Sequence, residues 1–376
     1  MKGDPALRPL LASLPPSRAF LASALALESG TGGGGRAGAA LPSAVEAVHA
    51  AYLDAGADVI EASAAFECTP RALASVGRAG DAGPLAGLAA RAALEARSAW
   101  RSGGGLARRR RRLDHGPSPS LSRDRARPLA AFPWVAACLP PLTQSYGSDE
   151  GASDAELLET YALLARAQAL QGVDIALCET LGSSREARAA ARAAWGAGLR
   201  PWVSLTVHDA VDPAKGGGRL RGSEETVEEA AEALLTLLLA PDAEPPIPGR
   251  DAATDPEPPI PGGVATPTPP PVPLAAPPAL LVNCCSPEAA VEAVRRLAAW
   301  KDRTPAARTV LLGAYPNAFR VTTDEWIGGA EFADRLWPAV PAGAAVLGGC
   351  CGTTPDHIRE LRRRVDRWNE MTRTKG

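Results

Sequence analysis

Ala344-Ala-Val-Leu-Gly-Gly-Cys-Cys-Gly-Thr-Thr-Pro355 is the stretch that decides the fold class. Its apolar run, Ala344–Leu347, predicts a buried strand that ends at the two glycines. Thr354 is a good helix N-cap and Pro355 is favoured at a first helical position, so a helix is predicted to begin there. A strand, a short turn and a helix form the repeating unit of an α/β protein.

A second cysteine segment follows the same pattern further up the chain. Cys284 comes directly after the apolar run 279–283 and before Ser286-Pro287, another N-cap followed by proline. In an α/β barrel the carboxyl ends of all strands meet on one face, where catalysis takes place. Cys284, Cys350 and Cys351 are therefore expected together on that face. Three thiolates without an obvious fourth ligand describe a catalytic zinc site with an open position.

The residues alone leave other interpretations of the adjacent Cys350-Cys351 pair open. Free cysteine is among the most buried residue types, so the pair could be core packing. It could also be a redox pair, although a disulfide between neighbouring residues is strained. The pair lacks the usual two-residue spacing of zinc ligands. Gly348-Gly349 favours a bound group, because glycine allows the backbone to approach it closely.

Short apolar runs alternate with helical patterns along the whole chain. Capping boxes at Ser43/Glu46, Ser153/Glu156 and Ser183/Glu186 predict helix starts, and Ser223 before two glutamates predicts another. Eight runs are strand candidates: 19–23, 57–61, 134–138, 173–178, 202–207, 279–283, 309–314 and 344–347. Eight such units predict a (β/α)8 TIM barrel. A doubly wound sheet is the alternative.

Two segments interrupt this alternation. Residues 101–128 are rich in arginine, glycine and serine, and residues 241–278 are rich in proline and repeat Glu-Pro-Pro-Ile-Pro-Gly. Both are predicted to be disordered insertions. The 376 residues are therefore predicted to form a single TIM-barrel domain spanning 1–376, with a core of about 18–370.

Composition limits the partners and the compartment. The formal net charge is −2, which argues against nucleic acid as the main partner, and the run of five arginines at 108–112 is interpreted as solvated charge. No apolar run approaches the length of about 20 residues that a membrane span needs. Seven cysteines without a convincing secretory signal predict a reducing, cytoplasmic location.

Five segments share their residues with one known family. They are His49 to Ile60, Val173 to Thr180 with its Glu-Thr ending, Asn283-Cys284, Tyr315-Pro-Asn-Ala318 followed by Trp326, and Gly348 to Ile358. In this order and spacing they resemble the homocysteine S-methyltransferases, a zinc-dependent barrel family with members that use betaine or S-methylmethionine. The resemblance runs from about Phe20 to about Val365, apart from the two insertions.

The resemblance implies a function and a set of site residues. Cys284, Cys350 and Cys351 would bind Zn²⁺ and leave a position for the sulfur of homocysteine, whose methylation forms methionine. Glu179 would hold the substrate amino group. The expected partners are small molecules, with a sulfonium as the first choice of methyl donor and betaine as the second. Cys285, Cys138 and Cys178 are interpreted as core packing.

Two departures from the family pattern affect the substrate pocket. Ala22 stands where the family has an acidic residue that helps to hold the amino acid, and a tyrosine or asparagine expected after the second candidate strand is absent around Phe66. The sequence therefore also allows methyl transfer to another thiol or selenol. A zinc-binding barrel without turnover, acting as a binding or regulatory protein, is the remaining alternative.

Overall fold

The computed structural model describes residues 44–105, 107, 133–142, 146, 151–212, 216–239, 276–318 and 326–373. Within these, seven strands form one parallel sheet in the order β1-β2-β3-β4-β5-β6-β7. They are β1 (Val59–Glu61), β2 (Trp134–Leu139), β3 (Ile175–Leu181), β4 (Pro201–Leu205), β5 (Ala279–Asn283), β6 (Leu311–Tyr315) and β7 (Ala344–Leu347). Every strand pairs with its neighbour along the chain, without the reversal of strand order that defines a doubly wound sheet.

The helices surround this curled sheet. They are α1 (Ala44–Ala55), α2 (Pro70–Ala74), α3 (Ala82–Ser102), α4 (Asp154–Ala169), α5 (Ser184–Gly196), α6 (Val227–Leu239), α7 (Pro287–Arg303), α8 (Gly329–Leu336) and α9 (Pro355–Arg373). Apart from the short α2, each helix packs against the next, and α9 packs back against α1. Arg362 of α9 forms an ion pair with Asp58 and donates to the carbonyl of Gly56. The ring of helices therefore closes between the two ends of the described chain.

The capping signals explain where most helices begin. Ser153 and Glu156 form a reciprocal capping box at α4, the Ser183 hydroxyl accepts from the Glu186 N–H at α5, and Ser286 caps α7 ahead of Pro287. The prediction for Ser223 is wrong, because α6 begins at Val227. Thr226 and Glu229 make the reciprocal bonds instead, since the chain before Thr226 is still occupied by β-bridges.

Seven of the eight strand candidates coincide with observed strands, with boundary shifts of a few residues. The eighth candidate, 19–23, and the capping residue Ser43 lie outside the described residues, as does most of both predicted insertions. At the insertion borders, α3 continues to Ser102 and Ala276 is buried. None of the helices in the described part of the chain has the length and hydropathy needed to cross a membrane.

The sheet separates two apolar cores. The larger one fills the space between strands and helices. The smaller one lies on the opposite face of the strands and comprises Ala136, Ile175, Leu177, Trp202, Ala276, Ala279 and Leu281, with Val59, Trp134, Leu311, Tyr315 and Val346 packed against it. Successive side chains of a strand point to opposite faces, so these alternate residues define the inward face of the curled sheet.

Gly313 allows β6 and β7 to approach each other at a register shift. A Cβ at this position would clash with the Val346 carbonyl oxygen and lie 2.6 Å from the Val346 Cβ. We expect Gly313→Ala to lower the free energy of unfolding by about 1–3 kcal/mol, because the sheet would have to shift to admit the methyl group. Denaturant unfolding measures this, with Gly80→Ala as the control, since a Cβ at Gly80 meets nothing within 4 Å. Equal unfolding free energies for the two variants would contradict the prediction.

Candidate metal and substrate site

The structure brings the three predicted cysteines together at the carboxyl end of the sheet. Cys284 follows β5, while Cys350 and Cys351 follow β7. The Cys284 sulfur is 3.2 Å from that of Cys350 and 3.8 Å from that of Cys351, and the last two sulfurs are 3.9 Å apart. We call these three residues the cysteine cluster. Cys284 is buried and the other two are partly exposed, so the cluster lies at an accessible surface.

The segment after β6 fixes the two cysteine-bearing loops relative to each other. The backbone N–H of Asn317 donates to the Cys285 carbonyl, and its side-chain Oδ1 accepts from the Cys351 N–H. The Cys350 N–H donates to the Pro316 carbonyl, and the Ala318 N–H donates to the Cys351 carbonyl. This explains why a Tyr-Pro-Asn-Ala segment accompanies the cysteines.

Backbone geometry explains the glycine before the cysteine pair. A Cβ on Gly349 would clash with the Thr353 side chain, whose hydroxyl donates to the Cys350 carbonyl at 2.7 Å. On the other loop, Cys284 has a φ of 56°, in the left-handed region that non-glycine residues rarely adopt. Such a conformation costs about 1–3 kcal/mol and persists only when the surroundings impose it.

Asn283 connects this cluster to three neighbouring strands. Its Oδ1 accepts from the Thr180 N–H at 3.0 Å and from the Ser204 hydroxyl at 2.8 Å. Its Nδ2 donates to the Thr180 hydroxyl at 2.8 Å and to the Cys350 sulfur at 3.8 Å. Thr180 also has a positive φ, of 61°, and the two bonds from Asn283 hold it there. A single buried amide thus positions both the end of β3 and one sulfur of the cluster.

We expect Asn283→Ala to lower zinc affinity by about 10–100-fold, because residues that orient metal ligands typically contribute that much. Competition with a chromogenic chelator measures the affinity. Gln168→Ala is the matched control, since Gln168 is also a fully buried amide but bridges the N–H and the carbonyl of Cys138 instead. It should cost stability and leave zinc affinity unchanged. Equal zinc affinity in both variants would contradict this role of Asn283.

The electrostatics of the cysteine cluster favour a bound cation. Hydrogen bonds from Cys284 and then Cys350 lower the pKa of Cys351 to about 4. The reverse holds for Cys350, whose pKa is raised by its hydrogen bonds to Cys284 and Cys351 and by burial. Three thiolates at these separations would repel one another, so only a cation allows all three to ionise.

The donor set fits zinc. Four-coordinate zinc with Zn–S bonds of about 2.3 Å holds its sulfur ligands about 3.8 Å apart. The observed sulfur separations of 3.2, 3.8 and 3.9 Å bracket that value. Three closely spaced thiols with no fourth protein donor from the described cysteines, histidines or acids leave room for one external ligand. That combination is typical of a catalytic zinc site.

Glu179 occupies the inward face near the end of β3, buried to 4% exposure. Its carboxyl accepts from the Cys138 thiol at 3.5 Å. Burial, and then the charge of Cys284, raises its pKa to about 8. Glu179 therefore lies within electrostatic reach of the cysteine cluster.

The other described cysteines and histidines lie outside the cysteine cluster. Cys178 and Cys285 are buried in the larger core, which agrees with their interpretation as packing residues. Cys138 is also buried, but its thiol donates to the Glu179 carboxyl. His357 accepts from the Thr354 N–H through Nδ1, and its Nε2 is 2.7 Å from the Ile327 carbonyl, so it caps α9. The His208 ring lies beside Gly216.

Sequence reasoning missed several polar residues around the cluster. The Tyr146 hydroxyl donates to the Cys284 sulfur at 3.4 Å, and the Arg221 guanidinium lies 4.7 Å from the centre of the Tyr146 ring. Glu61 and Cys138 group with Glu179, all with ligand atoms within 4.8 Å of one another. The alternation of inward and outward side chains along a strand could have indicated Glu61 and Cys138, because each stands at an inward position near the end of its strand.

Comparisons with known proteins agree with this architecture. The chain is similar to the homocysteine methyltransferase MmuM from Escherichia coli. The oxidized form of MmuM aligns with a TM-score of 0.60 and 22% identity, covering 92% of this chain and 88% of that chain. The metallated form aligns over the same shares at 22% identity, with a TM-score of 0.58. At this level of identity, the likeness establishes the fold.

A comparison with curated protein sequences finds no match. The sequence profile described as homocysteine S-methyltransferase, however, matches residues 23–243 and 268–365. These two ranges include Glu179 and all three residues of the cysteine cluster, and they cover most of the chain. The chain therefore belongs to the homocysteine S-methyltransferase family of enzymes.

Proposed function

We propose that this enzyme transfers a methyl group from a sulfonium donor to the thiol of homocysteine and forms methionine. Cys284, Cys350 and Cys351 would hold a zinc ion. The observation that carries the proposal is the cysteine cluster, with sulfur separations of 3.2–3.9 Å at the carboxyl ends of two strands. Betaine is the second candidate donor.

The reaction needs a thiolate, and a free aliphatic thiol with a pKa of about 8.5 is mostly protonated at neutral pH. Zinc, when bound, supplies a Lewis acid that deprotonates a coordinated thiol and keeps the sulfur nucleophilic. The substrate sulfur then attacks the donor methyl carbon. A new C–S bond forms as the bond to the sulfonium sulfur breaks, the donor leaves as a neutral thioether, and the thiol proton passes to solvent.

The protein residues perform the positioning. Asn283 and the 316–318 segment hold the cysteine loops, so the sulfur ligands are arranged before substrate arrives. Glu179, on the inward face beside them, would receive the substrate ammonium group. Fixing both ends of an amino-acid thiol places its sulfur for in-line attack. Well-aligned positioning can lower the activation barrier by about 7–11 kcal/mol.

We expect Glu179→Ala to weaken homocysteine binding by about 10–100-fold, because a charge-assisted hydrogen bond to the ammonium group is lost. Zinc affinity should change far less, since Glu179 lies beside the cysteine cluster without belonging to it. Calorimetric titration of the zinc-loaded protein with homocysteine measures the first quantity, and chelator competition measures the second. An unchanged homocysteine affinity would exclude this role of Glu179.

The metal assignment has its own test. Protein purified with zinc should contain one ion per chain, bound through thiolates. Substituting Co²⁺ should give the intense sulfur-to-cobalt charge-transfer absorption of thiolate ligation, and homocysteine should change that spectrum. Zinc that binds without any response to homocysteine would favour another thiol or selenol as the acceptor, whereas a response without methionine formation would favour a binding protein without turnover.

We also propose that the fold is a complete eight-stranded barrel. A single barrel domain with a core of about 18–370 would take its eighth strand from residues 19–23, between β7 and β1. The closed ring of eight helices supports this arrangement. Residues 101–128 and 241–278 would then be insertions between barrel elements.

A further inference from the structure

We propose that Glu61 is a second carboxylate for the substrate ammonium group and acts together with Glu179. This inference rests on the proposed function and deepens it, because it names a second residue for one end of the substrate. The two glutamates, called the acidic pair below, lie on β1 and β3 at the same edge of the sheet as the cysteine cluster.

The register of the sheet places both carboxyls on the inward face. Glu61 pairs with Ala136, an inward residue of β2, and Glu179 follows the inward Leu177 by two positions. Carboxyl oxygens of the acidic pair and the Cys138 sulfur all lie within 4.8 Å of one another. Burial, and then the charge of Glu179, raises the pKa of Glu61, which expresses the repulsion between two close carboxyls.

Neither member of the acidic pair has a cationic partner among the described residues. The arginines of the structure form their ion pairs elsewhere, for example Arg221 with Asp209 and Arg97 with Asp174. Two carboxyls this close, one buried and one half-buried, stay protonated unless a ligand supplies a positive charge, and the raised pKa values of both express this. A ligand ammonium group would let them ionise, next to the site proposed to take an amino-acid thiol.

Two buried polar atoms beside the pair have no hydrogen-bond partner within the described part of the chain. They are Oε1 of Glu61 and the hydroxyl oxygen of Tyr315. The charges of Glu179 and Glu61 both act on the Tyr315 hydroxyl, raising its pKa after burial, so the hydroxyl lies close to the pair. Leaving such a group unsatisfied destabilises the folded protein. Together with the Glu179 carboxyl they form a polar pocket with unused hydrogen-bonding capacity.

An α-ammonium group fits this pocket in charge and in hydrogen bonding. It brings one positive charge and three N–H donors, and the two carboxyls and the Tyr315 hydroxyl offer oxygen acceptors for them. The charge of Cys284 acts on both carboxyls, which puts the pocket next to the cysteine cluster. A ligand whose sulfur reaches the cluster would therefore place its amino group at the acidic pair.

The test compares two thiols on the zinc-loaded protein: homocysteine and γ-mercaptobutyrate, which is homocysteine without its amino group. Wild-type protein should bind homocysteine more tightly. Glu61→Gln should weaken homocysteine binding by about 10-fold or more and leave γ-mercaptobutyrate binding within about twofold, because only the charge interaction is lost. Glu159→Gln on the exposed side of α4 is the matched control and should change neither.

Each outcome of this experiment is informative. A Glu61→Gln variant that loses affinity for both thiols equally would assign Glu61 a purely structural role and overturn the inference. Equal wild-type affinity for the two thiols would overturn it as well, since no ammonium site would then exist. Two zinc ions per chain, falling to one in Glu61→Gln, would make the group a second metal site. Wild-type protein that binds neither thiol would instead remove the proposed function and this inference with it.

Discussion

Cys350→Ser is expected to abolish zinc binding and methyl transfer together while the metal-free protein keeps its fold. Serine is a much poorer zinc ligand than a thiolate, and changes outside the first set of ligands already cost about 10–100-fold in affinity. A loss larger than about 100-fold is therefore expected. Cys351→Ser should behave in the same way. Both side chains lie at a partly exposed loop end outside the two apolar cores, so the sheet does not depend on them.

Zinc content by atomic absorption and unfolding by circular dichroism measure these two properties. Cys68→Ser is the matched control, because Cys68 is a buried thiol outside the cluster, 3.4 Å from the Ala64 carbonyl, a contact that serine can also make. The control should keep one zinc and full activity. A Cys350→Ser variant that remains loaded and active would refute the ligand assignment.

Hydrogen peroxide is expected to inactivate the enzyme by forming a disulfide between Cys284 and Cys350. Their sulfurs are 3.2 Å apart, so a movement of about 1 Å reaches the S–S bond length of about 2.05 Å. In this step two thiols are oxidised and lose two hydrogen atoms, the peroxide is reduced to water, and any zinc is released because two of its ligands are consumed.

Mass spectrometry of proteolytic fragments should find Cys284 linked to Cys350, since bridging the neighbouring Cys350 and Cys351 would strain the backbone. Dithiothreitol followed by zinc should restore activity. Zinc-loaded protein should react more slowly than metal-free protein, because its thiolates are engaged. Full activity after peroxide treatment of the metal-free protein and reloading with zinc would contradict the prediction.

The sequence was sufficient for the elements that local rules determine. β5 and β7 are continuous apolar runs, and Ser286-Pro287 and Thr354-Pro355 start the helices behind them, so the positions of Cys284 and the Cys350-Cys351 pair followed from strand and capping rules. Glu179 was predictable for the same reason, as a carboxyl near the end of a strand.

Contacts between distant segments were not predictable in this way. Nothing local to Glu61 reveals that it approaches Glu179, because their proximity depends on the register between β1, β2 and β3. The bonds from Asn283 to Thr180 span 103 residues. The prediction of where α6 begins was wrong for a related reason, since the chain before Thr226 is engaged in bridges to residues elsewhere in the sequence.

We propose that this chain makes methionine from homocysteine at a zinc site formed by three cysteines. Its most direct test is methionine formation by zinc-loaded protein given homocysteine with S-methylmethionine, S-adenosylmethionine or betaine, each in a separate reaction. We expect turnover with a sulfonium donor and none in Cys350→Ser. One zinc bound per chain with no methionine from any of the three donors would contradict it.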